Sequence, residues 1–428
     1  MWPCAVVSML REETTEVLVA GAGPVGMITA ILLAENGIRV KVVDKESGTA
    51  THSYSCALHP ASLQLLGEMG LAEEIVEMGR RVDTVGLYDG KRRRAEIKLS
   101  GFAGDFPFVV VLPQSALEEI LENRLARKHH IKIDWNHRLS TLHSEGERIL
   151  ATVDKLVVTA QGYGVPQMEW GVGKTLRIRA GFVIGADGHY SHVRECLGID
   201  YERLSEPIAF EVYEFETDAQ LGNEVRVVLD DRTTNVLWPL PGDLCRWSFQ
   251  SIPPTSVDEF PSKDRSVIVA DQPEADSKAR RHVQELVRER APWFEGTIGE
   301  IDWRTEVQFE PGVSRQFGQG RCWLAGDAAH QTGPVGMQSM NVGLREATEL
   351  VGKVERILHE QGSTNLLNAY ASDRREEWQH LLGTKGELRP RVQTDPWIRE
   401  RGARILPCLP ASGEHLRQLF DQIGLDLR

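Results

Sequence analysis

The chain has 428 residues, of which 41% are hydrophobic and 26% charged, and its net charge is −13. This length predicts two or three domains or subdomains, and the ordinary composition excludes a disordered chain. The negative balance argues against non-specific nucleic-acid binding, so an anionic ligand would need local cations.

Six cysteines, at 4, 56, 196, 245, 322 and 408, form no Cys-x-x-Cys pair. Reduced thiols in a cytoplasm are expected, with no metal centre. No apolar run reaches the ~18 residues of a membrane span. The opening "MWPCAVVSML" is apolar but short and lacks a basic n-region. It reads as a loose extension rather than a signal peptide.

The first informative stretch is "TEVLVAGAGPVGMITAILLAENGIRVKVVDKE", residues 15–46. A strand at 16–20 runs into Gly21-Ala22-Gly23-Pro24-Val25-Gly26, a G-x-G-x-x-G. Met27, Ile28, Ile31, Leu32 and Leu33 then recur at helical spacing, and Gly37 stands where a left-handed residue ends a helix. A second strand, 38–43, closes on Asp44, followed by Lys45. Gly21 suits the tight turn, Gly23 the approach of a pyrophosphate and Gly26 the packing of helix on strand. The helix N-terminus offers free N–H groups to phosphates, and Asp44 can accept from ribose hydroxyls.

Further on, 84–99 reads as a hairpin turning at Asp89-Gly90, with a solvated basic run at 91–94. A helix follows at 115–130, with Ser115 and Glu118 as a capping box and Leu117, Ile120, Leu121 and Leu125 as its apolar stripe. The tandem His129-His130 at its end favours the negative helix terminus. Phe182-Val183-Ile184 is a strand ending in Gly185-Ala186-Asp187-Gly188, with Ser191 and Arg194 beyond. Strands are expected at 208–218 and 224–231, and a hairpin at 235–252. Trp238 and Trp247 fit a sheet core better than a ligand pocket. Residues 253–279 read as a surface loop and 277–294 as a helix. A third strand, 322–325, then runs into "GDAAHQTGPVGMQSMNVG" and a helix beginning near Gln338. A C-terminal helix is placed at 363–382, before a proline-punctuated tail. Open α/β sheets bind ligands beyond the carboxyl ends of their strands, so all three turns should meet there.

The motifs GAGPVG (21–26), GADGHYSHVR (185–194) and GDAAHQTGPVGMQSMNVG (326–343), in that order, resemble those of the class A flavoprotein monooxygenases, the p-hydroxybenzoate hydroxylase-like aromatic hydroxylases. The resemblance spans roughly residues 15–350. It implies an α/β fold: a GR2-type, Rossmann-like FAD-binding domain assembled from 14–75, 105–200 and 300–360. A mainly antiparallel substrate domain (76–104 and 201–299) and a C-terminal helical segment (361–428) would complete it. No room is expected for the thioredoxin-like domain that some larger relatives append.

The resemblance also implies site residues. Gly21, Gly23, Pro24, Val25, Gly26, Asp44 and Lys45 would hold the ADP half of FAD, with Gln114 near the diphosphate. Asp187 would lie near the pyrophosphate and assist NADPH or NADH. Gly326 and Asp327 would take the ribityl chain, and Pro334, Gly336, Met340 and Asn341 would face the flavin ring. The implied reaction uses NAD(P)H and dioxygen, through a flavin C4a-hydroperoxide, to hydroxylate a phenolic or polyketide-like aromatic. Epoxidation, Baeyer–Villiger oxidation and prenyl double-bond reduction are alternatives, as is a non-catalytic FAD-binding partner. A small aromatic substrate and dioxygen are the expected partners, and a homodimer is compatible with the chain. Candidates for activating a substrate hydroxyl are Tyr54, Tyr213 and His330, with His52 and His59 reading as loop residues. Two departures from the family stand out. The segment after the second strand, "THSYSCALHP", lacks the usual arginine, and Gln338-Ser339 replace glycine beside the ring.

Overall fold

The computed structural model describes residues 12–51, 55–161, 167–252 and 273–427. Its centre is an eight-stranded sheet in which Gly318–Gln319, Cys322–Leu324, Gln167–Gly185, Glu12–Ala20, Val40–Val43 and Ile133–Asp134 lie side by side. The inner four pairings, from Cys322–Leu324 to Ile133–Asp134, are parallel. Their register pairs Ala20 with both Gly185 and Val43, and Gly185 with Leu324. The strand ends are therefore level, and the three motif turns leave from one edge.

Why these strands are central follows from their side chains. Val17, Leu18, Val19, Val183, Ile184 and Leu324 are all inaccessible, the uninterrupted apolar run of a sheet covered on both faces. The helix Pro24–Glu35 is buried along almost its whole length, between the sheet and two helices, Gln114–Lys128 and Gln338–His359. A helix apolar on every side belongs in such a place. Gly37 ends it with φ +71°, and Ile38 N–H donates to the Leu33 carbonyl.

Strand Gln167–Gly185 is far longer than the three residues expected. It continues backwards as a long antiparallel hairpin with Arg148–Gln161, which pairs in turn with His137–Glu145.

A second sheet of seven strands runs in the order Ile301–Phe309, Ile208–Glu216, Leu244–Gln250, Thr234–Pro239, Glu224–Leu229, Thr84–Tyr88 and Arg93–Lys98. All its pairings are antiparallel except that of Glu224–Leu229 with Thr84–Tyr88. The stretch 301–309, grouped above with the cofactor-side pieces, is the edge strand of this sheet. The two faces of the sheet differ. Phe210 and Val212 join the main core, whereas Tyr213, Phe215, Trp247 and Phe249 form a separate core under the helix Pro273–Arg290. Trp238 and Trp247 are both fully buried, one in each core.

The C-terminal segment is more structured than its prolines implied. Helix Asn365–Leu381 is followed by helices Pro396–Ile405 and Gly413–Gln422, and Leu388–Pro390 pairs with Leu425–Leu427. Proline at 396 opens a helix rather than breaking one, because the first turn has no N–H partner to lose. Among the described residues, no helix is long and apolar enough to cross a membrane.

Candidate active site

The glycine loop is built as its spacing predicted. Gly21 has φ +105°, and a Cβ there would overlap the Ala186 carbonyl and the Asp187 N–H. A Cβ on Gly26 would overlap the Gly21 carbonyl. Gly23 is different: a Cβ there would meet nothing within 4 Å. No side chain caps the following helix and no acid stands in its first turn, so its leading N–H groups remain available to a ligand. Asp44 braces this loop from the neighbouring strand. Its Oδ2 accepts from Ala22 N–H (2.5 Å) and its Oδ1 from Glu46 N–H (2.8 Å). Lys45 is exposed and 4.0 Å from Glu46.

Gln114 begins the helix Gln114–Lys128, directly after Pro113. The capping box expected of Ser115 and Glu118 does not form. Glu118 is buried and accepts from Ala50 N–H and from the Gln114 amide, both at 2.7 Å. Burial pushes its pKa up. A tertiary loop has taken the carboxylate that a local cap would have used.

At the second turn, Asp187 is half-buried and bonded by its own turn. It accepts from the Ser191 hydroxyl (2.5 Å) and from Val193 N–H (3.0 Å), and Ser191 in turn caps the short helix His192–Cys196. Burial nonetheless raises its pKa. Arg194 donates to the Ala328 and His189 carbonyls (2.7 and 2.8 Å), tying this turn to the third.

The third turn is packed on the first. A Cβ at Gly326 would press on Val25 (3.0 Å), and one at Gly343 would press on both Val25 (2.8 Å) and Gly326 (2.9 Å). Glu346 anchors the turn by accepting from Gly326 N–H (3.0 Å), His330 Nε2–H (2.7 Å) and Trp378 Nε1–H (2.8 Å). Burial works to raise its pKa, but His330 and these donors hold it below the usual carboxylate range. His330 is fully buried and stacks on Trp378 with ring centroids 3.7 Å apart. Its ring is thus bonded within the core. Asp327 has no hydrogen-bonding or ion-pair partner for its side chain among the described residues. Burial pushes its pKa up to about 6, with Glu346 adding to the shift and His330 opposing it.

The loop Pro334–Asn341 is fastened from several sides. Met337 adopts a left-handed conformation, φ +51°, at the start of helix Gln338–His359. A non-glycine residue there is strained and must be held by its surroundings. Asn341 does much of the holding. Its Oδ1 accepts from His59 N–H and the Ser62 hydroxyl (both 2.7 Å), and its Nδ2 donates to the Ala57 and Met337 carbonyls (2.9 and 2.7 Å). His59 Nε2–H donates to the Gly336 carbonyl (2.9 Å), and burial drops the His59 pKa to about 3, so the ring is neutral. Pro334 is buried and Met340 half-buried. The described part of the arginine-free segment, from Ser55 on, thus packs directly on this loop. A guanidinium reaches that segment from the second sheet instead: Arg246, paired with Glu214 (2.6 Å), lies beside the buried Cys56 thiol.

A cavity of about 360 Å³ lies between this loop, the second sheet and the C-terminal segment. Phe210, Thr332, Val335, Leu382, Leu406 and Cys408 line it. Its size falls in the range of pockets for drug-sized ligands, and its walls are mostly apolar. Tyr213 does not reach it. That ring lies on the opposite face of the sheet, where its hydroxyl donates to Glu211 (2.8 Å) and it packs near His282. Alternation in a strand marks two faces without saying which one meets the ligand. Tyr54 and His52 lie outside the described residues. The pocket residues 380–388 and 403–408 carried no sequence signal beyond scattered apolar positions.

The FAD binding domain family model matches residues 14–383. Pentachlorophenol 4-monooxygenase of Sphingobium chlorophenolicum is 27% identical over 375 residues, covering 87% of this chain and 64% of that protein. The 6-methylpretetramide 4-monooxygenase of Streptomyces rimosus is 28% identical over 370 residues, covering 85% and 60%. This chain therefore spans less than two thirds of the length of these relatives. The crystal structure of p-nitrophenol 4-monooxygenase from Pseudomonas putida DLL-E4 superposes with a TM-score of 0.71 at 20% identity, over 96% of this chain and 99% of that one.

Proposed function

The chain belongs to the FAD binding domain family, in its p-hydroxybenzoate hydroxylase-like branch, and on that premise we propose that it is an FAD-dependent monooxygenase acting on an aromatic, phenol-bearing substrate. One observation carries the reading. Three strand ends meet at one edge, where they present an uncapped helix start, an open Gly23 and an unpartnered Asp327 carboxylate. A long ligand with phosphates at one end and hydroxyls further along fits that donor set.

In this reading, Gly21 to Gly26, with Pro24 and Val25 between, would hold the pyrophosphate, and Asp44 and Lys45 would face the adenosine side. Gln114 and Asp187 would flank the diphosphate, and Gly326 and Asp327 would take the ribityl chain. Pro334, Gly336, Met340 and Asn341 would shape the surface under the ring. We assign 14–75, 105–200 and the stretch from about 310 to 360 to the cofactor side, and 76–104 with 201–309 to the substrate side.

When bound, FAD would supply the redox chemistry, in which electrons from NADPH or NADH reduce dioxygen so that one oxygen atom enters the substrate and the other leaves as water. The protein contributes position and dryness. The apolar cavity walls exclude water, which protects reactive oxygen species from wasteful decay. The N-terminus of helix Gln338–His359 favours negative charge in front of it. Thr332, Thr234, Gln250 and His380 are polar groups on the cavity wall that can orient a substrate hydroxyl.

Titration of the purified chain with FAD, followed by NADPH and NADH oxidation with p-nitrophenol and pentachlorophenol, tests the proposal. A bound yellow cofactor and phenol-stimulated oxygen uptake are expected. A protein that cannot take up FAD would end the reading.

A further inference from the structure

Gln338 opens the helix Gln338–His359 at the end of this loop, and its side chain is fully buried. Its Nε2 faces three backbone carbonyls of one C-terminal stretch: Leu406 (3.3 Å), Leu409 (3.2 Å) and Ala411 (3.4 Å). One amide has two hydrogens, so at most two of these bonds are strong at once and the third is shared. The same stretch presses on the loop next door. A Cβ at Gly336 would lie 2.6 Å from the Pro407 carbonyl and 2.9 Å from that of Leu409. Leu406, Pro407 and Cys408 are also cavity wall, opposite Val335 of the loop. The carboxamide oxygen of Gln338 has no partner among the described residues. A buried group that leaves one of its atoms unsatisfied is there for what the other atom does.

We propose that Gln338 is a positioning residue that clamps the C-terminal stretch 406–411, whose first three residues are wall of the substrate cavity, to the loop facing the flavin ring. This rests on the reading of the cavity as the substrate site. Glutamine makes wall and loop one body, so the gap between them, where water would enter, is set by a side chain.

The test is hydrogen exchange of the FAD-loaded full chain, read at the amides of Leu406, Cys408, Leu409 and Ala411, residues 407 and 410 being proline. Gln338→Met keeps the volume and removes the donors. It should speed exchange at those amides about fivefold or more, as loss of one or two neutral hydrogen bonds allows, while FAD affinity stays within about threefold of the parent. Gln338→Glu supplies a chemical rescue. Facing three carbonyls, its acid donates only when protonated, so protection should return at pH 5 and be lost at pH 8 after correction for intrinsic rates. Space filling alone predicts no such pH dependence. Unchanged protection in Gln338→Met, or loss of FAD with protection unchanged, overturns the clamp. Exchange needs no turnover, so it gives its answer even if no phenol is a substrate, which is the separate failure of the functional reading.

Discussion

The turn after strand Gln167–Gly185 and the turn after Cys322–Leu324 each place an aspartate just beyond a parallel strand, yet the two carboxylates do different work. Asp187 is satisfied from within, by the Ser191 hydroxyl and Val193 N–H, and it organises the start of a helix. Asp327 finds no such partner among the described residues and sits half-buried, its pKa pushed up to about 6. A motif that reads alike twice is a structural cap once and an open acceptor once. What decides is whether the following residues fold back onto the acid: Ser191 and Val193 do, while the third turn spends its donors on Glu346.

The contrast can be broken most directly at Asp327. Replacing it with Ala should weaken FAD binding by roughly ten- to a hundredfold, the range for a hydrogen bond to a charged group, with the melting temperature kept or raised. Fluorescence titration and thermal melts measure both. Asp187→Ala should do the reverse. It should cost about 1–2 kcal/mol of stability through lost capping, seen in denaturant melts, with a smaller change in FAD affinity.

Titration sharpens the comparison. The Asp327 pKa of about 6 lies above that of an unfolded aspartate, ~3.9. Between these values the folded chain holds a proton the unfolded chain has lost. This group's contribution to stability is therefore full at low pH and is lost as pH rises through about 6. Melts of the FAD-free chain between pH 4 and 7.5, minus those of Asp327→Asn, should show that slope. The smallest effect is expected at Lys45, which is exposed and only loosely near Glu46. Lys45→Ala should change stability by under about 0.5 kcal/mol, and FAD affinity by less than the Asp327 change.

Much of the cofactor edge was legible because its signals are local. Gly21, Gly23 and Gly26 encode backbone positions and approaches, and the level strand ends follow from two parallel crossovers. The misreadings share a cause. Glu118 looked like a cap but serves Ala50, and neither the face of the sheet that Tyr213 takes nor the bond of His330 to Glu346 was readable. Each depends on which distant segment arrives beside the residue, which spacing does not encode. The cavity wall at 403–408 was hidden for the same reason, and prolines 396, 407 and 410 masked the helix that carries it.

That wall has one more consequence. Lys385, Leu388, Leu406, Cys408 and Leu427 line the cavity, and all lie after residue 383, where the family match stops. The cavity wall is thus shared between the matched region, which supplies Phe210, Thr332, Val335 and Leu382, and a stretch that lies outside it. Exchanging residues 384–427 would therefore reshape one side of the cavity, leave Phe210, Thr332 and Val335 in place on the other, and not touch the glycine turns.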